Sequence, residues 1–129
     1  MGRNDGEGKG EFAQIIHGEV ARHLAFFELK KEHTRGSHYH ALKDETFYVI
    51  DGVMRGICID IDSGERAEYT VRKGDKMHIH PRCAHIFYGM EDALVVEYSP
   101  QAYDKRCIPS RIRFDDIIKE EYGGDKECD

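Results

Sequence analysis

Gly36-Ser37-His38-Tyr39-His40-Ala41-Leu42-Lys43-Asp44-Glu45 is the stretch on which the fold of this chain turns. Side chains alternate along an extended strand, so histidines at i and i+2 project from one face. Glu45 follows the second histidine by five residues, and His85 lies far downstream on another segment. Three imidazoles and one carboxylate form a donor set suited to a divalent transition metal, with coordination positions left for a ligand.

The segments around that stretch read as strands. Phe12–His17 and His23–Leu29 are short and apolar, and Thr46–Ile50 is rich in β-branched and aromatic residues. Asp51-Gly52 follows with the chemistry of a tight hairpin turn. Val53–Ile61, Ala67–Arg72, Met77–His80, His85–Tyr88 and Ala93–Ser99 continue the run, separated by polar turns at Ser63-Gly64, Gly74-Asp75 and Glu91-Asp92. Many short strands at roughly 8–12-residue spacing indicate an antiparallel sandwich or barrel. Only Phe114–Tyr122 carries a helical pattern, with Ile117 and Ile118 inward and Asp115, Asp116 and Glu120 outward. Gly6, Gly8 and Gly10 follow no strand, so they read as a tail rather than a phosphate loop.

Bulk properties narrow the function classes. The chain has 129 residues, 40% hydrophobic and 34% charged, which is one ordinary globular domain. Its net charge of −6 argues against nucleic acid or an anionic membrane as the main partner. No apolar run reaches the roughly 20 residues needed to span a bilayer, and the glycine-rich, charged start has no signal-peptide character. A cytoplasmic location is the expectation. Cys58, Cys83, Cys107 and Cys128 show no CxxC spacing and are expected to be free thiols.

With these motifs in hand, the chain resembles the cupin family. The first cupin motif, G…HxH…E…G, corresponds here to His38-x-His40, four residues, Glu45, six residues and Gly52; the second spans eleven positions from Gly74 to His85. Pro81 sits one residue late in that second motif, and Cys83 and Gly89 stand where glycine and asparagine are common. The resemblance covers about residues 20–100. It implies an all-β, double-stranded β-helix (a jelly-roll barrel) at residues 11–113, after a flexible tail at 1–10 and before a C-terminal helix and tail at 114–129. It also implies that His38, His40, Glu45 and His85 bind a metal, and the donor chemistry fits Mn, Fe, Co, Ni or Zn.

Other polar residues are candidates for the chemistry. His78 and His80 share one side of their strand; they either line the pocket as proton-transfer groups or form an exposed edge. Glu97 lies within the apolar run Leu94–Tyr98, where a carboxylate needs a partner or a wet cavity. Tyr48 and Tyr98 either donate phenolic protons into the pocket or pack in the sheets, and Arg35 either pairs with an anionic substrate group or faces solvent.

The Arg35-Gly36-x-His38-x-His40 opening is similar to small cupins of nucleotide-sugar and capsular-polysaccharide metabolism. That similarity implies an isomerase or epimerase moving a proton beside a sugar carbonyl. A metal-dependent dioxygenase of a small organic acid and a non-catalytic sugar-binding module stay open as alternatives. Strand edges need cover, so a homodimer is expected, with Phe12–His17 as the candidate segment crossing to the partner.

Overall fold

The computed structural model describes residues 3–4, 8–102, 110–111 and 126–127. Among these residues the regular structure is β: β1 (Arg3–Asn4), β2 (Phe12–Ala13), β3 (His23–Leu29), β4 (His33–Tyr39), β5 (Glu45–Asp51), β6 (Val53–Asp60), β7 (Arg66–Arg72), β8 (Lys76–Ile79), β9 (Cys83–Gly89), β10 (Ala93–Ser99), β11 (Ser110–Arg111) and β12 (Lys126–Glu127). The helical pattern at Phe114–Tyr122 lies outside the described residues.

Two antiparallel sheets form the double-stranded β-helix expected from the motifs. One runs β3-β10-β5-β8 and the other β11-β4-β9-β6-β7, with β12 added parallel to β4. From β3 to β10 successive strands change layer except at the β6–β7 hairpin, so β5 and β6 belong to different sheets. Asp51-Gly52 is therefore not a hairpin, contrary to the reading of the dipeptide. It is a corner that carries the chain from one layer to the other. Gly52 has φ +86°, and a Cβ there would collide with the backbone of Asp92 and Ala93, which explains the glycine without a hairpin. The strand expected at Phe12–His17 is shorter, and β2 pairs antiparallel with β1 of the same chain.

The inner faces of the sheets bury Phe27, Leu29, Phe47, Val49, Met54, Met77, Phe87 and Val95. Phe47 meets Phe87 edge-on at 4.7 Å between centroids, a favoured aromatic geometry. A second apolar cluster of Ile57, Ala84, Ile86 and Tyr88 lies on the outer face of the six-stranded sheet. Its members alternate with the inward residues Cys58, His85 and Phe87, as the pleat requires. No helix among the described residues is long and apolar enough to cross a membrane.

Candidate functional site

One end of the barrel interior is polar. On the six-stranded wall His38 sits directly opposite His85, and Arg35 opposite Phe87. His85 and Phe87 are two residues apart, so Arg35 and His38 face the same way although three positions separate them. A register shift between Gly36 and His38 makes this possible. Gly36 and Ser37 both have positive φ, 111° and 66°, the mark of a bulge that adds a residue and re-aims the strand. The chain thus brings Arg35, His38 and His40 to one wall.

Glu45 starts β5 on the opposite wall, buried at 5% exposure. Its Oε1 lies 3.5 Å from Nε2 of His40 and 3.6 Å from Nε2 of His85. The rings of His38 and His85 are 4.8 Å apart, and those of His38 and His40 are 5.1 Å apart. Donor atoms of His38, Glu45 and His85 all fall within 4.8 Å of one another. Donors bound at about 2.1 Å around one ion stand about 3–3.5 Å from their neighbours, so modest side-chain adjustment brings these groups into a coordination sphere. The carbonyl of Cys83, 3.2 Å from Nδ1 of His85, can only accept. The Nδ1–H therefore donates to it, leaving the Nε2 lone pair toward Glu45. A backbone carbonyl fixing the outer nitrogen in this way is the usual support of a metal-binding histidine.

The electrostatics agree with this donor role. Burial pushes His85 down to about 3, helped by the neighbouring His38 and His40, so its imidazole stays neutral. Burial pushes the Glu45 carboxyl up to about 7; Lys43 opposes the rise and Glu97 adds to it. Lys43 places Nζ 3.9 Å from Glu45 Oε2. A cation binding among these groups would relieve a costly buried carboxylate.

Glu97 sits opposite Phe47 on the inner face of the four-stranded sheet, on the same side as Glu45. Its Oε2 is 3.5 Å from Nε2 of His23. His23 gave no signal in the sequence, since a lone histidine at a strand start belongs to no motif. Arg35 lies with Cζ 4.8 Å above the Phe27 ring. Its Nε is buried with no hydrogen-bond partner, while one terminal nitrogen reaches the Glu28 carbonyl at 3.5 Å. The guanidinium is thus only partly satisfied by the described residues.

The remaining candidates lie elsewhere. His78 faces away from the barrel interior, with Nε2 3.1 Å from Asp44 Oδ1. His80 is exposed and bonds through Nδ1 to the adjacent Pro81 carbonyl at 2.9 Å. Both line a cavity of about 530 Å³ between β7 and β8, together with Cys58, Tyr69, Lys76 and Cys83. Tyr48 and Tyr98 are buried on the outer face of the four-stranded sheet, where the Tyr98 hydroxyl donates to Glu19 at 3.1 Å. The structure groups His38, His40, Glu45, His85, Arg35 and Glu97, and leaves His78, His80, Tyr48 and Tyr98 outside that group.

Comparison with known proteins adds a family and a fold. The model of the polysaccharide biosynthesis C-terminal domain matches residues 5–106. No curated protein matches the sequence. Among solved structures, a dTDP sugar isomerase from Desulfovibrio desulfuricans G20 superposes with TM-score 0.77 and 18% identity, over 88% of this chain and 80% of that one. A dTDP-4-dehydrorhamnose 3,5-epimerase from Sulfolobus tokodaii gives 0.73 and 17%, over 84% and 72%. The capsular polysaccharide assembling protein CapF from Staphylococcus aureus gives 0.64 and 20% over 72% of this chain, which spans only 26% of that protein.

Proposed function

The chain belongs to the polysaccharide biosynthesis C-terminal domain family, and we propose that it is a metal-binding isomerase or epimerase of a nucleotide-linked keto sugar. The observation that carries this reading is the pair of facing walls: His38, His40 and His85 with Arg35 on the six-stranded side, and Glu45 and Glu97 with His23 on the four-stranded side. The structural neighbours described as dTDP-sugar isomerase and epimerase point to the same substrate class.

His38, His40, Glu45 and His85 would hold a divalent transition ion (Mn, Fe, Co, Ni or Zn), which when bound polarises a carbonyl oxygen. Arg35 would anchor the diphosphate through paired N–H donors, with its stem packed on Phe27. Glu97 would take the proton from the carbon beside the carbonyl while the electron pair of the broken C–H bond moves to the carbonyl oxygen, giving an enediolate. His23 would hold the Glu97 carboxylate in place and relay its proton. Returning the proton to the opposite face of the same carbon inverts it, and returning it to the former carbonyl carbon, with the hydroxyl proton passing from one oxygen of the enediolate to the other, moves the carbonyl. Neither outcome needs an external oxidant.

The test is solvent exchange. A dTDP-4-keto-6-deoxy sugar incubated with the metal-loaded protein in D₂O should gain deuterium beside the carbonyl, and Glu97→Gln should slow this by about 10²–10⁴-fold. A panel of nucleotide-linked keto sugars that gains no deuterium would overturn the proposal.

A further inference from the structure

Cys58, Cys83 and Met77 bring three sulfur atoms to one place. All three belong to the inner apolar cluster, and all three line the cavity of about 530 Å³ between β7 and β8. That cavity lies where both sheets end, since neither β7 nor β8 pairs with a further strand among the described residues. The register sets Cys58 opposite His85 and Asp60 opposite Cys83, so the two cysteines are diagonal neighbours on one face of the sheet. The Cys58 S–H donates to the Cys83 sulfur, and the Cys83 S–H donates to the Ala84 carbonyl at 3.8 Å. Met77 reaches over from the opposite sheet. A Cβ on Gly56 would stand 2.9 Å from its Sδ, so the thioether rests on β6 two residues from Cys58, on the face that Cys58 shares.

Both cysteines are buried and free, and the register does not favour a bond between them. Diagonal pairs on adjacent antiparallel strands stand about 7–8 Å apart, and cysteines beyond about 7 Å need backbone movement to form a disulfide. A bridging ion escapes that limit. With metal–thiolate bonds of about 2.3 Å, one ion spans sulfurs up to about 4.6 Å apart, a reach suited to thiols in hydrogen-bonding contact. Donor chemistry then selects the ion. Thiolates and thioethers are soft donors that favour Cu(I). A structural zinc ion needs a full tetrahedral shell of nitrogen, sulfur or carboxylate donors. Among the described residues only His38, Glu45 and His85 form a three-donor group of that kind, so no imidazole or carboxylate completes a zinc shell around the thiols. The donor that does stand beside them is the thioether of Met77.

We propose that Cys58, Cys83 and Met77 form a second metal site, selective for Cu(I), at the inner end of the β7–β8 cavity. Binding forms two copper–thiolate bonds and releases the two thiol protons to solvent through the cavity. The copper stays Cu(I), and nothing is oxidised or reduced. The inference is independent of the reaction assigned to the histidine–carboxylate cluster, whose nitrogen and oxygen donors suit a divalent ion instead.

Anaerobic titration of the reduced, chelator-stripped chain with Cu(I), in competition with bicinchoninate, tests this. The wild type should take one Cu(I) per chain, and Glu45→Gln/His85→Gln should retain it. Cys58→Ala/Cys83→Ala should lose at least about a hundredfold in affinity. Met77→Leu, which keeps the side-chain volume and removes the sulfur, should lose about tenfold. Cys107→Ser/Cys128→Ser should bind as the wild type does. Protection gives a readout that needs no variant. At a urea concentration where N-ethylmaleimide labels Cys58 and Cys83 of the copper-free chain, bound Cu(I) should shield both, as mapped by peptide mass spectrometry. Failure to take Cu(I) from bicinchoninate, binding that survives the loss of both thiols, or binding lost with Glu45 and His85 would overturn the proposal. So would an unchanged affinity in Met77→Leu, or equal alkylation with and without copper.

Discussion

His85 turns its Nε2 to Oε1 of Glu45 at 3.6 Å, while its Nδ1 is committed to the Cys83 carbonyl. The backbone therefore chooses the tautomer, and the nitrogen left with a lone pair is the one that faces the buried carboxylate. His85→Gln keeps a polar side chain in the pocket but loses an imidazole donor. It should lower metal affinity at least about a hundredfold, measured by competition with a chromophoric chelator, while far-UV circular dichroism stays unchanged. Wild-type affinity in that variant would remove His85 from the site.

The two perturbed groups give opposite pH dependences in the metal-free protein. His85 is held down to about 3 by burial, so below the ordinary range near 6.5 the native state binds fewer protons than the unfolded chain. Its contribution is present at neutral pH and is lost as pH falls toward 3. Glu45 is held up to about 7 by burial, so the native carboxyl keeps a proton that the unfolded chain has shed. Its contribution is present below about 4.5 and is lost as pH rises through 7. Urea denaturation of chelator-treated protein should show the stability of the wild type relative to Glu45→Gln falling from pH 4.5 to 7. Metal loading should abolish that decline, because the ion stabilises the ionised carboxylate. A difference that stays flat with pH would contradict the burial assigned to Glu45.

Gly36 sets the bulge that aims His38. It adopts φ +111°, and a Cβ there would stand 2.9 Å from the His85 carbonyl oxygen and 3.3 Å from Ile86 Cα. Gly36→Ala should cost about 1–3 kcal/mol of stability and should weaken metal binding, because β4 must move away from the strand that carries His85. Thermal denaturation with and without metal measures both effects. An alanine accommodated without loss of either would show that the bulge is not what positions the histidines.

Arg35 supplies a planar fork that a lysine cannot copy. With a nucleotide-linked keto sugar as substrate, Arg35→Lys should raise KM about tenfold or more and leave kcat nearly unchanged. A loss confined to kcat would place Arg35 with the reacting atoms rather than with the anchored diphosphate.

Much of this arrangement is legible in the amino-acid sequence, and the parts that are not have physical reasons. Alternation alone puts His38 and His40 on one face, and motif spacing brings Glu45 and His85 to the same region. The same alternation separates Arg35 from His38, and only the positive φ values at Gly36 and Ser37 reunite them. Periodicity reports that His78 and His80 share a side but not which side, and the register of β8 against β5 turns His78 outward beside Asp44. Tyr98 reads equally as a pocket donor or a packing residue until Glu19 is seen bonded to its hydroxyl on the outer face, a contact between positions 79 apart in sequence that no local pattern encodes. Asp51-Gly52 carries true turn chemistry, but whether a turn closes a hairpin or changes layers depends on strands formed elsewhere.

The most direct test of the proposed metal site is titration of chelator-stripped protein with Mn²⁺, Fe²⁺, Co²⁺, Ni²⁺ and Zn²⁺, followed by calorimetry and elemental analysis after dialysis. The expected result is one ion retained per chain for at least one of these metals, with retention abolished in Glu45→Gln/His85→Gln. Failure of every metal to bind, or binding that survives the loss of both side chains, would contradict the account.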